Sequence, residues 1–201
     1  MSEKKFPPKA DPPRAEKITI ILIGAVAILL AGLIFISFKL IQKPKVLNNP
    51  NNLPMKLTSP AFVNNQYLPS KYTCDGNGVN PILEFTDRPN EAKSLALIFD
   101  DPDAPSETFI HWVVWNLPPD TARLEEGVLP SGAVVGKNTT EENNYVPPCP
   151  PSGAHHYTFK LYALDVVLNL SPATDKAKLE LAMQGHILSQ AELVGIYSRG
   201  N

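Results

Sequence analysis

Pro147-Pro-Cys-Pro-Pro-Ser-Gly-Ala-His-His-Tyr157 runs directly into Thr158-Phe-Lys-Leu-Tyr-Ala-Leu164, and the reading of this stretch decides the fold. Pro147, Pro148, Pro150 and Pro151 fix φ and remove backbone donors, and Gly153 adds a turn, so the approach is a rigid loop and not a helix. The residues that follow are aromatic and aliphatic and read as a strand. Alternation along that strand sends His155 and Tyr157 to one face and His156 to the other.

Working outward, the same grammar recurs. Short apolar runs at 55–57, 61–62, 82–85, 95–99, 112–116 and 157–164 are bounded by Pro, Gly, Asn and Asp, the pattern of a β-dominated domain. Several of these runs do not alternate, which implies burial on both faces and a sandwich-like packing. The character changes at residues 171–181, where Ser171-Pro172 opens a helical stripe that ends near Gly185, and a second helical turn is expected around Ala191. The predicted fold is thus mainly β, with helices at the C-terminal end.

The 201 residues divide into four parts. Residues 1–17 are rich in Pro and Lys and lack the apolar content to fix a structure. Residues 18–40 contain an uncharged run, 18–38, which as a helix reaches about 30 Å, the hydrocarbon thickness of a bilayer. A cleaved signal peptide is the competing reading, but its apolar region is shorter and ends in a small-residue cleavage site that Phe38-Lys-Leu-Ile-Gln-Lys43 does not provide. The spacing of Ala27 and Ala31 is a weak helix-pairing signal. Residues 41–54 form a polar, turn-rich linker, and 55–201 are long enough for one sizeable core. Five Lys/Arg precede the apolar run and three follow it closely, so the N-terminus is expected in the cytoplasm and the domain outside it.

Charge separates along the same boundaries. Residues 1–54 carry eight Lys/Arg against three Asp/Glu, and the remainder ten against seventeen. An acidic domain lacks the clustered cations that displace counterions from a duplex, which excludes nucleic acid as its partner.

The residues that carry chemistry sit where strands meet stiff turns. Asp101-Pro-Asp-Ala-Pro105 follows the apolar run 95–99, and Pro102 and Pro105 rigidify it. An isolated Asp-Pro-Asp is an ordinary solvated turn. Here His111 opens the apolar strand Trp112-Val-Val-Trp115, and a buried imidazole needs a partner that Asp101 or Asp103 can supply. That pairing is expected to orient His111 as a donor and to raise its pKa.

Asp-Pro-Asp-Ala-Pro, His-Trp-Val-Val-Trp-Asn and Cys-Pro-Pro-Ser-Gly-Ala-His-His-Tyr-Thr-Phe-Lys-Leu-Tyr-Ala-Leu-Asp together resemble the phosphatidylethanolamine-binding protein family, most closely its bacterial and archaeal Raf-kinase-inhibitor-like branch. Tyr72-Thr-Cys-Asp-Gly-Asn-Gly-Val-Asn-Pro81 and the ending from Gly185 to Arg199 extend the resemblance, which covers about residues 55–199 and excludes the apolar run. It implies a large central antiparallel sheet packed on a smaller one, and a pocket for phosphate-type anions and phospholipid headgroups. By matching motifs, Asp101, Asp103, His111, His155 and Tyr157 would line that pocket, with Pro148, Pro150 and Pro151 as its rim. The chain departs from the family's commoner glycine-containing loop by having Val146-Pro147 after Tyr145, so the rim is the feature that transfers least directly.

The resemblance implies a binding protein without a cofactor, which the apolar run would tether to a membrane, and relatives described as inhibitors suggest a kinase or protease partner reached through a loop such as 132–144. Phosphate binding is expected to weaken as pH rises through the histidine range. The alternative is a metal-dependent phosphoester hydrolase using the same Asp and His side chains, although no compact metal motif is present. If the domain lies outside the cytoplasm, Cys74 and Cys149 can pair and contribute about 4 to 5 kcal/mol through loop closure; the other reading is two free buried thiols. Asn138-Thr-Thr140 fits a glycosylation sequon.

Overall fold

The computed structural model describes residues 54–199. The apolar run at 18–38, the preceding tail and most of the linker lie outside the described residues, and no helix among the described residues is long and apolar enough to cross a membrane.

Nine strands form two sheets among the described residues. The smaller has the order β1 (Lys56–Thr58), β3 (Leu83–Thr86), β6 (Arg123–Leu124). The larger has the order β2 (Gln66–Tyr67), β9 (Ile187–Ser198), β8 (Ala154–Leu164), β4 (Ser94–Asp101), β5 (Phe109–Leu117), β7 (Val134–Val135). Its pairings are antiparallel except that between β2 and β9. One α-helix among the described residues, α1 (Lys176–Met183), packs near the C-terminal end.

Strand β4 shows why the apolar runs do not alternate. Every residue from Ser94 to Asp101 is buried. Leu95, Leu97 and Phe99 face the core shared with the smaller sheet, where Leu57, Leu83, Phe85 and Leu124 meet them. Ala96 and Ile98 face the other way, into a second core with Val113, Trp115, Leu179 and Met183. The large sheet is therefore covered on both sides, and both faces of its central strands must be apolar.

Three expectations are corrected. Residues 61–62 are not a strand; Phe62 follows a bend and is buried, with its ring centroid 6.4 Å from that of Phe159. Helix α1 begins at Lys176 and not at Ser171, because Asp175 caps it by accepting the Lys178 N-H at 2.9 Å, while the residues before it close a turn in which the Thr174 N-H donates to the Ser171 carbonyl. The helical turn expected around Ala191 is instead the middle of the twelve-residue β9, which pairs with β8 from Ala154↔Ser198 to Leu164↔Ile187. The sheet decides this: β8 is largely buried, and without β9 its backbone groups on that side would lie unpaired. Leu193, Gly195 and Tyr197 are the inward residues of β9, and a Cβ on Gly195 would come within 2.5 Å of Leu68 Cδ2.

Candidate functional site

Strands β4, β5 and β8 are adjacent, and their ends deliver Asp101, His111, His155 and Tyr157 to one place, all four buried. The registers place Asp101 opposite Phe109 and run β8 antiparallel beside β4, so the start of β8 meets the end of β4. These four residues line a cavity of about 160 Å³ together with Ala104, Pro105, Phe109, Val146, Pro147, Cys149, Pro150 and Pro151. That is below the size of pockets that take drug-sized ligands, and suits a small polar group.

The polar network is ordered. His155 Nδ1 lies 2.7 Å from Asp101 Oδ2, and the Asp103 main-chain N-H donates to Asp101 Oδ1 at 2.9 Å. Asp101 is thus fixed by one donor on each oxygen. Tyr157 stands edge-on to His111, with ring centroids 5.3 Å apart. Burial, with the Asp101 and Asp103 carboxylates nearby, raises the Tyr157 pKa, so its hydroxyl remains protonated.

His111 departs from expectation. Its Nδ1 lies 2.8 Å from the Val146 carbonyl, not against a carboxylate, and the Val146 N-H returns a bond to the His111 carbonyl at 3.0 Å. Its ring is enclosed by Phe109 and Phe99, with centroids 4.7 and 5.1 Å away. Burial lowers its pKa to about 4, outweighing the Val146 bond and the nearby Asp101 and Asp100 charges, so the expected rise is reversed. The Asp101 partner is His155 instead.

Asp103 also departs. Its carboxylate turns to the outer face, where Oδ2 accepts the His156 main-chain N-H at 2.8 Å and lies 2.7 Å from His156 Nδ1. These two contacts lower its pKa despite partial desolvation. The structure therefore brings Asp101, His111, His155 and Tyr157 together and leaves the Asp103 side chain outside. Pro150 and Pro151 line the cavity, whereas Pro148 is buried behind it and its carbonyl accepts the Cys74 N-H at 3.0 Å.

Cys74 and Cys149 are joined in a disulfide with Cα atoms 5.4 Å apart, so the free-thiol reading falls. Cys149 lines the cavity, and the bond, the Pro148 carbonyl and the clasp between Val146 and His111 hold the rim loop at three points. Sequence reasoning missed Val146, Pro147, Cys149, Ala104, Pro105 and Phe109 as lining residues. Their common signal was proximity to the motif residues within the same stiff turns.

Two other candidates resolve differently. Asn138 is buried, and its side chain accepts from Thr140 and Glu142 and donates to Asn144, so it organises the loop and is not presented for modification. Among the described residues no group of three or more His, Cys, Asp or Glu converges as metal ligands. His111 Nδ1 and His155 Nδ1 are both engaged by protein oxygens.

Two stacked sheets with a small, stiff-walled cavity at the strand ends, on which Asp101, His111, His155 and Tyr157 converge, define the architecture. A family model described as phosphatidylethanolamine-binding protein matches residues 58–198, and the chain belongs to that family. Bacterial and archaeal proteins are among its relatives: a UPF0098 protein of Methanothermobacter thermautotrophicus is 51% identical over 151 residues, covering 73% of this chain and 100% of the relative. The crystal structure of a phosphatidylethanolamine-binding protein homologue from Chlamydia trachomatis matches with a TM-score of 0.71 and 47% identity, over 73% of this chain and 99% of that one. Escherichia coli YbcL, described as a new member of the mammalian family, matches at 0.69 and 27% identity, over 74% of this chain and 100% of that one.

Proposed function

We propose that the domain is a binding module, not an enzyme, that takes a phosphate-bearing small molecule or phospholipid headgroup into the cavity between β4, β5 and β8. The observation that carries this reading is the convergence of the Asp101 and His155 pair, His111 and Tyr157 on a cavity of about 160 Å³, large enough for a headgroup. Tyr157 donates to a phosphate oxygen, and the Asp101 carboxylate is placed to meet a cationic amine. The family relationship supports the same ligand class. The hydrolase alternative loses support, since a bound catalytic metal needs about three converging protein ligands.

The uncharged run at 18–38 supports a membrane tether, and the Cys74 to Cys149 disulfide supports placing the domain in an oxidising compartment outside the cytoplasm. The loop at 132–144, fixed by Asn138, is the surface offered to a kinase or protease that the module regulates.

NMR titration of the full-length protein with phosphoethanolamine tests the ligand reading. Saturable shifts at Tyr157 and His155 are expected, and Asp101→Asn should weaken binding by about tenfold, the loss of one charge-assisted contact. Shifts confined to other surfaces would overturn the assignment.

A further inference from the structure

The hydrogen inventory of the cavity is unbalanced, and the imbalance specifies the ligand further. The Val146 carbonyl can only accept, so the proton of the His111 ring sits on Nδ1 and Nε2 presents a lone pair. Nε2 is buried and has no hydrogen-bond partner among the described residues. His111 itself is 4% exposed, lines the cavity, and stays neutral above about pH 4 because burial disfavours its charged form.

The groups around it do not correct the balance. From β4, both Asp101 oxygens are acceptors, and Asp100 is held away by Lys160 and Lys176. From β8, the His155 Nδ1 proton is spent on Asp101, which leaves the Tyr157 hydroxyl as a donor. The hydroxyl of Tyr145, stacked on Phe99, donates to the Tyr72 carbonyl, and Asp103 is engaged by His156. A fully ionised phosphate ester, or any sulfate ester, would bring only acceptors to the His111 lone pair and the Asp101 carboxylate. A singly ionised phosphate ester brings one O-H.

Building on the phosphate reading above, we infer that the cavity selects phosphate monoesters in their singly protonated form, the ligand O-H donating to His111 Nε2, and discriminates against sulfate esters of the same shape. Another phosphate oxygen accepts from the Tyr157 hydroxyl. A site that leaves a buried acceptor unpaired with the wrong ligand rejects that ligand far more strongly than one that differs only in fit.

Calorimetric titration of the full-length protein with methyl phosphate, methyl sulfate and ethanolamine between pH 5 and 8 provides the test. At pH 5.5 methyl phosphate should bind at least about tenfold more tightly than methyl sulfate. Above the second ionisation of the ester, about pH 6, its affinity should fall by close to tenfold per pH unit relative to that of the sulfate, which has no proton to lose. The sulfate profile reports the protein's own titration and serves as the internal reference. Equal affinities with parallel profiles would overturn the inference and leave the phosphate reading standing. Binding of neither ester would overturn both, and binding of ethanolamine alone would assign the acceptors to an ammonium group and overturn both as well. All arms use the natural sequence, so the outcome does not depend on a His111 variant folding.

Discussion

Asp100 and Asp101 are consecutive residues of one strand, yet they have been given opposite tasks. Asp100 faces the helix side of the large sheet, fully buried, with Lys160 from β8 and Lys176 from α1 both on its Oδ2, at 2.8 and 2.7 Å. Asp101 faces the cavity and is bound by His155 and by a main-chain N-H. Lysine holds its charge across all ordinary pH, whereas histidine is the side chain whose charge changes near neutrality. One carboxylate is therefore a clamp between sheet and helix, and its neighbour belongs to the hydrogen-bond network that lines the cavity. Period-two alternation makes this economy available, since successive side chains of a strand never share a face.

The largest effect should come from undoing the clamp. Replacing both Lys160 and Lys176 by Met leaves a buried carboxylate without a counter-charge, and a loss of about 4 kcal/mol of unfolding free energy is expected. Each single replacement should cost less than half as much, because the other ammonium still reaches Oδ2. Urea denaturation of the three variants measures this, and a double variant within about 1 kcal/mol of the natural protein would remove the distinction between the two faces. Ligand affinity should be unchanged, since neither lysine lines the cavity.

His111 supplies the next effect, on the cavity side. Its native pKa of about 4 lies below the ordinary histidine value of 6.5, so between those values the unfolded chain binds a proton that the native state refuses. Stability must then fall as pH falls through that window, by about 3 kcal/mol in total at 1.36 kcal/mol per unit. His111→Asn removes the titration, and the difference in unfolding free energy between the two proteins should shrink by this amount from pH 7 to pH 4. A constant difference would show that His111 ionises as freely in the native protein as in the unfolded chain.

The same contrast explains what could be read from the sequence. The facing of His155, His156 and Tyr157 followed from alternation alone, which needs no knowledge of neighbours, and the doubly buried runs announced a sheet covered on both sides. The partner of His111 was not legible. Val146 lies 35 positions away in a proline-rich loop and contributes through its backbone, which any residue type provides. Strand β9 was hidden for a related reason. Ser189-Gln-Ala-Glu-Leu193 has local preferences that suit a helix, but the unpaired side of β8 outweighs them. The clamp on Asp100 was not legible either, because Lys160 and Lys176 lie 60 and 76 positions away and reach it from another strand and from the helix.

The smallest effect tests where the cavity's boundary lies. Asp103 and His156 are both substantially exposed, with side-chain exposures of 42% and 52%, so their ion pair is screened by water and is worth at most about 0.5 kcal/mol. What Asp103 gives the site passes through its main chain, whose N-H holds Asp101 Oδ1. Asp103→Asn keeps that N-H and removes only the carboxylate. Phosphoethanolamine affinity should therefore change by less than about twofold, against about tenfold for Asp101→Asn. Because the native carboxylate has its pKa lowered by His156, its small stabilisation is present above the ordinary aspartate range and is lost as pH falls through the native value. If Asp103→Asn proved as damaging to binding as Asp101→Asn, the carboxylate would have to swing inward when ligand arrives. The side of the turn on which the ligand is read would then be set by binding and not by the fold.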